Sequence, residues 1–181
     1  GRYGVKGSEI KLYDYFTEKD KNNHFGKIWL DTLSFFDIKP NSTKYDFFLS
    51  KMETDKAKNF IDAFGKKIKI GINTQGSFPE KSIKNEELIE ICTGLHNYFS
   101  NIQIVILTTP SQQAEKKHVI SRLGCDYVRC SYPTKTINDA AALIQKLDII
   151  ISPDTSIVHI AASFDIPTIS IHENNKDSYR L

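Results

Sequence analysis

The segment DIIISPDTSIVHIAASFDIPTISIH, residues 148–172, holds two apolar runs separated by one amphipathic stretch. The run at 148–152 is short and almost entirely apolar, which predicts a strand covered on both faces. Residues 155–164 predict a helix, and residues 167–172 predict a second strand. A buried strand, a helix and another strand in succession indicate a βαβ unit with parallel strands.

The same alternation begins at residue 67. Further strands are predicted at 67–73, 102–108 and 126–130, and further helices at 85–99, 111–123 and 137–146. We place Asn85 at the N-cap of the first of these helices, and Thr136 with Asp139 in a capping box of the third. The prediction is an α/β fold with a doubly wound, parallel Rossmann-like sheet of five to six strands. The five visible strands are expected in the order 3-2-1-4-5.

The part of the chain before residue 67 is less regular. Residues 1–26 are predicted to be irregular, with short helices following at 27–37 and 53–64. We interpret residues 1–66 as an inter-domain connecting segment and residues 67–181 as the Rossmann-like domain. The chain lacks an initiator methionine, so we expect it to be a piece of a longer protein whose last domain is truncated at its end.

Composition narrows the class of protein. The 181 residues include 24 basic and 22 acidic side chains, a balance that does not indicate a nucleic-acid partner. No apolar run is long enough to predict a membrane span. The three cysteines lack CxxC spacing, which argues against a zinc site and a disulfide framework. They favour a reducing, cytoplasmic compartment, with Cys92 in the core.

A doubly wound sheet binds its ligands at the carboxyl ends of the strands, near the switch point between the first and fourth strands here. In the loop after the first strand, Gly76 permits a close approach, Ser77 offers a hydroxyl, and Lys81 is a mobile charge suited to phosphate. Neither GxxxxGK[ST] nor GxGxxG is present, so the loop matches neither a P-loop nor a dinucleotide fingerprint. The alternative is a surface turn with an exposed lysine.

The loop after the fourth strand offers a second candidate. Asp154 is suited to cap the following helix, and the free N–H groups of Thr155, Ser156 and Ile157 would make an anion site. The alternative is a helix cap without a ligand. His159 lies further along this helix, where a lone histidine is more often a hydrogen-bonded core residue than a catalyst. No metal-ligand cluster and no Ser-His-Asp or Cys-His pattern is present.

These residues carry a resemblance to a family. The stretch SPDTSIVHIAASFDIPTISIHE resembles the D-T-G-x-x-H-x-A-A signature of glycosyltransferase family 9, the bacterial heptosyltransferases, with its following Pro-Thr and strand. The matching residues are Asp154, Thr155, His159, Ala161, Ala162, Pro167 and Thr168. Gly76-Ser77 followed by Glu80-Lys81 is similar to the family's G-[AS]-x-x-x-x-K-R-W-P segment. The resemblance covers residues 67–172 well and residues 1–66 only loosely.

The chain departs from the family pattern at a few places. Ser156 stands where the family usually has glycine, and Ser82-Ile83 stand where it has Arg-Trp. His172-Glu173 replace the start of the common G-P-T after the last strand. Gln112 and Gln113 occupy the region of an acidic residue that holds the ribose in the family.

The resemblance implies the carboxy-terminal, donor-binding half of a GT-B glycosyltransferase. Such an enzyme would transfer heptose or a related sugar from an ADP-sugar to a lipopolysaccharide core acceptor, with inversion and without a metal or other cofactor. Residues 67–181 would be the nucleotide-sugar-binding domain. The residues expected to bind the donor and its pyrophosphate are Ser77, Lys81, Asp154, Thr155, Ser156 and His159.

The resemblance also implies that parts of the enzyme's active site lie outside these residues. The catalytic base and the acceptor site would lie in a missing amino-terminal domain, so the fragment alone is expected to be inactive. The enzyme would be cytoplasmic, and peripheral to the inner face of the inner membrane at most. Two alternatives remain open: another nucleotide-sugar enzyme of this architecture, such as an epimerase, or a non-catalytic nucleotide-binding module whose site has drifted.

Overall fold

A computed structural model describes the following residues of the chain: 3–6, 15–18, 25–40, 42 and 44–172. They fall into two compact units, one containing the described residues up to Tyr45 and the other beginning at Asp46. No helix in these described ranges is long and apolar enough to cross a membrane. Glu173, one of the departures from the family pattern, lies outside the described residues.

The first unit contains a small parallel sheet and a short helix. Strands β1 (Tyr3–Lys6) and β2 (Tyr15–Glu18) pair in parallel, so the prediction that residues 1–26 are irregular is wrong at these two strands. Helix α1 (Phe25–Asp31) continues as a 3-10 helix (Thr32–Phe36).

The predicted helix at 27–37 therefore changes type in its second half. The hydroxyl of Thr32 donates to the carbonyl oxygen of Trp29, and that of Ser34 donates to the carbonyl oxygen of Asp31, each over 2.6 Å. Such local side-chain bonds compete with the α-helical pattern of hydrogen bonds. Asp37, at a φ of 56°, ends the segment in the left-handed conformation.

The second unit is a five-stranded parallel sheet covered by helices. The helices are α2 (Lys51–Asp62), α3 (Asn85–Tyr98), α4 (Gln113–Ser121), α5 (Ile137–Ile144) and α6 (Ser156–Ser163). The strands are β3 (Ile68–Asn73), β4 (Ile102–Leu107), β5 (Val128–Cys130), β6 (Ile149–Pro153) and β7 (Thr168–Ile171). Their order is β5-β4-β3-β6-β7, and all neighbours are parallel. The predicted fold and the order 3-2-1-4-5 are confirmed.

Strand β4 shows why both faces of the sheet are covered. Ile104 and Ile106 belong to a hydrophobic cluster with residues of α3 and α4, including Cys92, which is fully buried as predicted. Val105 and Leu107 belong to a second cluster with residues of α2, α5 and α6. Because successive side chains of a strand point to opposite faces, a continuous apolar run supplies both clusters.

Helix α2 belongs to this second unit. It begins with a capping box, in which the Ser50 hydroxyl accepts from the N–H of Glu53 and the Glu53 carboxylate accepts from the N–H of Ser50. The box starts the helix at Lys51 rather than at residue 53. Ile61 packs from α2 into the core. The division of the chain into 1–66 and 67–181 stays a prediction.

Candidate functional site

A cleft of about 490 Å³ opens at the carboxyl ends of the strands, on both sides of the switch point between β3 and β6. This is the edge at which doubly wound sheets bind their ligands. Its lining comes from four loops: Asn73, Gln75, Gly76 and Ser77; Leu107, Thr108, Thr109 and Gln112; Thr134, Lys135, Thr136, Ile137 and Ala140; and Thr155, Ser156 and Ile157.

Asn73, the last residue of β3, joins two of these loops. Its side-chain amide donates to the carbonyl oxygen of Gln75 and to the hydroxyl of Ser152, each over 3.0 Å. Its side-chain oxygen, Oδ1, accepts from the N–H of Gln75. The same amide nitrogen lies 3.3 Å from Oγ1 of Thr155. Because Asn73 is almost fully buried, these bonds fix the β3 loop against the start of α6.

Gly76 makes the tight turn of the β3 loop possible. A Cβ atom at this position would lie 2.5 Å from the carbonyl carbon and oxygen of Lys81, which is closer than real Cβ atoms come. The sequence predicted that Gly76 permits a close approach. The group that approaches Gly76 is the main chain of Lys81, in the same loop. The N–H of Gly76 donates to the Ser82 hydroxyl over 3.0 Å, which closes the turn.

Thr155, not Asp154, caps helix α6. Its backbone is extended, with φ −148° and ψ 176°, and its Oγ1 accepts a hydrogen bond from the N–H of Ile157. The prediction of Asp154 as the N-cap is wrong because the chain turns into the helix one residue later. Instead, the carbonyl oxygen of Asp154 accepts a hydrogen bond from the hydroxyl of Ser77.

The start of α6 remains suited to an anion. Thr155, Ser156 and Ile157 all line the cleft, and Ser156 is the first residue of the helix. The positive end of a helix dipole and the first-turn N–H groups favour negative charge there.

The opposite wall of the cleft is formed by the loop between β5 and α5. Thr134 is anchored to β4, because its N–H and its hydroxyl both lie 3.0 Å from the carbonyl oxygen of Thr108. Thr136 and Asp139 form the predicted capping box of α5. Lys135, between these threonines, is the one lysine in the lining among the described residues. Sequence reasoning missed it, although the loop after residue 130 was one of the strand ends at which a ligand was expected.

Three of the six predicted site residues line the cleft, namely Ser77, Thr155 and Ser156. Lys81 lies at the end of the short 3-10 helix Pro79–Lys81, and its exposed ammonium lies 5.9 Å from the centre of the Phe78 ring. Asp154 contributes its main chain to the loop contact with Ser77, and His159 is an exposed residue of α6. The binding roles of all six stay predictions.

The two glutamines at the start of α4 have different positions. Gln112 lines the cleft and accepts from the N–H and the hydroxyl of Thr109. Gln113 instead donates to the Thr108 hydroxyl and to the carbonyl oxygen of Ser131, so it ties together the ends of β4 and β5. Of this pair, Gln112 is the one placed to meet a ligand.

A second cavity, of about 390 Å³, adjoins the cleft and shares Gln75, Gly76, Ser77 and Gln112 with it. Lys116 lines this cavity although its side chain is buried, and its ammonium donates to the Asn85 side chain over 2.7 Å. Asn85 in turn donates to Glu115. The prediction of Asn85 as the N-cap of α3 is wrong because these contacts with α4 hold its side chain, and Lys84 takes the cap position.

Burial and hydrogen bonds shift the pKa values of ionisable groups near the cleft. Burial would raise the pKa of the Asp139 carboxyl, but hydrogen bonds from the Lys56 ammonium and from main-chain N–H groups of Lys135 and Thr136 hold this pKa below its usual range. Burial and the Asp139 carboxylate raise the pKa of Tyr132 to about 12, so its phenol is a hydrogen-bond donor at neutral pH. In the described ranges, no group of three His, Cys, Asp or Glu side chains is placed to hold a metal ion.

Comparison with known proteins identifies the family of this chain. Residues 25–179 match the model of glycosyltransferase family 9 (heptosyltransferase). A comparison with curated protein sequences found no significant match. Among solved structures, the chain is similar to a family 9 glycosyl transferase from Veillonella parvula DSM 2008, with a TM-score of 0.70 and 16% identity, over 88% of this chain and 46% of that one.

Two further solved structures come from E. coli. Heptosyltransferase WaaC with ADP matches with a TM-score of 0.63 and 18% identity, over 91% of this chain and 50% of that one. ADP-heptose LPS heptosyltransferase II matches with a TM-score of 0.57 and 16% identity, over 73% of this chain and 41% of that one. The chain thus spans about half the length of the solved structures that it resembles, or less. On the match to the family model, this chain belongs to glycosyltransferase family 9.

Proposed function

We propose that this chain is the donor-binding part of a glycosyltransferase that transfers heptose, or a related sugar, from an ADP-sugar to a lipopolysaccharide core acceptor. The observation that carries the proposal is the cleft at the switch point, where the β3 loop meets the start of α6. Family membership supports the reaction class. One similar structure holds ADP and another holds ADP-2-deoxy-2-fluoro heptose, which supports the class of donor.

The start of α6 is the proposed site of the pyrophosphate. The N–H of Ser156 and the helix dipole would stabilise the charge that develops as the bond between sugar and phosphate breaks, whereas the N–H of Ile157 is already bonded to Thr155. Lys81 would reach the same phosphates from the β3 loop with its long, flexible side chain. On this proposal a helix dipole and a lysine supply positive charge to the leaving group, and the transfer inverts the anomeric centre without a metal.

The acceptor and its base are proposed to lie outside the 181 residues. A base in an amino-terminal domain would deprotonate the acceptor hydroxyl, and that domain would bind the lipopolysaccharide core. We therefore expect this chain to bind the donor without transferring its sugar. The reaction would take place in the cytoplasm, at most at the inner face of the inner membrane.

The test is a calorimetric comparison of ADP, UDP and GDP titrated into the chain. We expect ADP to bind most tightly. Binding of UDP or GDP in preference to ADP would contradict the proposed donor but keep a nucleotide-binding module. The absence of binding by any of the three would contradict the proposed function. A product assay on a protein that also contains the acceptor domain would separate a transferase from an epimerase.

A further inference from the structure

A side-chain cluster behind the cleft joins α2 to the wall formed by the β5–α5 loop. The ammonium of Lys56, on α2, lies 2.5 Å from Oδ1 of Asp139, on α5, and 4.2 Å from the centre of the Tyr132 ring. The second carboxylate oxygen of Asp139 accepts hydrogen bonds from the N–H groups of Lys135, over 3.0 Å, and Thr136, over 3.3 Å. One carboxylate therefore connects the α2 lysine to two residues that line the cleft.

This ion pair differs from the other ion pairs of α2. The Asp139 side chain is 12% exposed, whereas the aspartates paired with Lys51 and Lys58 are more than half exposed. Those two pairs also lie four residues apart on a single helix, so they connect α2 only to itself. Exposed pairs of that kind contribute little to structure, but a buried carboxylate that loses its cation leaves an uncompensated charge.

The loop also contacts α2 through Tyr132. Tyr132 donates from its phenol to the carbonyl oxygen of Asp139 over 3.1 Å, and its ring packs edge-on against Phe60 of α2, with 5.5 Å between ring centres. Helix α2 therefore contacts the loop through both Lys56 and Phe60. On the cleft side, the hydroxyl of Thr134 donates to the carbonyl oxygen of Thr108, the residue after β4. The residue between these anchors is Lys135, whose N–H is bonded to Asp139.

We propose that Lys56 is a positioning residue for nucleotide binding: through Asp139 it holds the main chain at Lys135 and Thr136 in the conformation that forms the cleft wall. Lys56 itself does not line the cleft. The inference rests on the proposed function, because it assigns Lys56 a role in binding the same nucleotide. It adds that a helix preceding the first strand of the sheet sets the shape of the donor site.

The test uses four variants of the chain. Lys56→Met removes the charge and keeps most of the side-chain volume, and Lys56→Arg restores a cation. Lys58→Met removes the cation of an exposed pair on the same helix. Ile61→Val removes one buried methylene from the same helix and leaves the Lys56–Asp139 pair in place. For each variant we would measure the ADP dissociation constant, the melting temperature, and hydrogen exchange of the Lys135 and Thr136 amides.

We expect Lys56→Met to weaken ADP binding roughly three- to thirtyfold, the range for residues that act on a site through others. Exchange at the Lys135 and Thr136 amides should accelerate by a similar factor, and Lys56→Arg should restore most of both properties. Lys58→Met should match the wild type. Ile61→Val should lower the melting temperature and leave the affinity of the folded chain unchanged, because the contacts from Lys56 through Asp139 to Lys135 remain.

Two results would overturn the proposal. One is an ADP affinity of Lys56→Met no weaker than that of Ile61→Val, and the other is amide exchange at Lys135 and Thr136 no faster than in Lys58→Met. Either result, with ADP binding tightly to the wild type, removes the role of Lys56 and leaves the proposed function standing. If the wild type binds no nucleotide, the proposed function fails and the positioning role fails with it.

Discussion

The hydroxyl of Ser77 donates a hydrogen bond to the carbonyl oxygen of Asp154, 3.1 Å away. This bond joins the β3 loop to the β6–α6 loop at the mouth of the cleft. A hydroxyl has only one hydrogen to donate, so Ser77 cannot donate to a phosphate while it keeps this bond. Either the ligand displaces the contact with Asp154, or Ser77 acts by holding two loops together around a ligand that main-chain N–H groups bind.

The tight turn at Gly76 leads to the first prediction. Gly76→Ala places a Cβ against the main chain of Lys81, so the loop must shift. We expect a loss of about 1–3 kcal/mol in the free energy of unfolding, typical of overpacking, and weaker ADP binding. Gly94→Ala is the matched control, because its Cβ would meet nothing within 4 Å. Chemical denaturation and calorimetry measure the two effects, and equal behaviour of the two variants would contradict the account of the loop.

The second prediction concerns the cation at the pyrophosphate. If Lys81 reaches the phosphates, Lys81→Ala should weaken ADP binding by about 1.5–3 kcal/mol, the range for a hydrogen bond to a charged group. Its melting temperature should hardly change, because Lys81 is an exposed loop residue. Lys117→Ala is the control, because it removes the same charge from an exposed residue of α4. If Lys135→Ala weakens ADP binding and Lys81→Ala does not, the cation at the pyrophosphate is Lys135 of the β5–α5 loop.

A third prediction separates the two residues at the start of α6. Thr155→Ala removes the capping oxygen and should lower the free energy of unfolding by about 1 kcal/mol. Asp154→Ala should keep the stability of the wild type, because Asp154 contributes its main-chain carbonyl oxygen, and not its side chain, to the contact with Ser77. Urea denaturation of both variants is the measurement. A stability loss in Asp154→Ala as large as that in Thr155→Ala would restore Asp154 as the cap.

Asp154 would then remain available to the donor sugar. A carboxylate accepts hydroxyl hydrogen bonds more strongly than an amide does. Asp154→Asn should therefore weaken an ADP-sugar relative to ADP, and a pair of titrations on this variant measures the ratio. If both ligands bind Asp154→Asn as they bind the wild type, Asp154 does not contact the sugar.

The fourth prediction is a pH dependence that arises from Asp139. Its pKa is lower in the folded chain than in the unfolded chain, where a value of about 3.9 is usual. At pH values between these two pKa values, the unfolded chain therefore binds more protons than the folded chain. The stabilisation from Asp139 is thus present above about pH 4 and is lost as the pH falls through the folded pKa. Denaturation between pH 5 and pH 2 should show a shallower loss in Asp139→Asn and in Lys56→Met than in the wild type. Parallel curves for all three would contradict the role of this pair.

The parallel sheet was predictable from sequence because its central strands are apolar and buried on both faces. The run at β4 has all six residues buried, and six residues are too few for a typical buried helix. Helix starts were harder to predict, because several residue types compete for the same position. At α6 both Asp154 and Thr155 are suitable caps, and the contact of Ser77 with the Asp154 carbonyl is not visible in the local sequence.

The candidate site was predictable only where a local pattern carries it. The start of α6 follows from the Asp-Thr-Ser sequence after a buried strand. Lys135 was missed because tertiary contacts set the position of its loop: Lys56 and Asp139 lie 83 residues apart in the chain. Asn85 shows the same limit, because Lys116, 31 residues later, takes its side chain away from the cap.

The start of α6 and the β3 loop are proposed to bind the pyrophosphate of a nucleotide sugar. The most direct test is hydrogen exchange of the chain with and without saturating ADP, resolved to single amides. We predict slower exchange at Ser77 and Ser156 when ADP is bound, with unchanged exchange on α3, which lies outside the cleft lining. Saturating ADP that leaves these two amides unchanged, or that protects amides elsewhere in their place, would contradict this binding site.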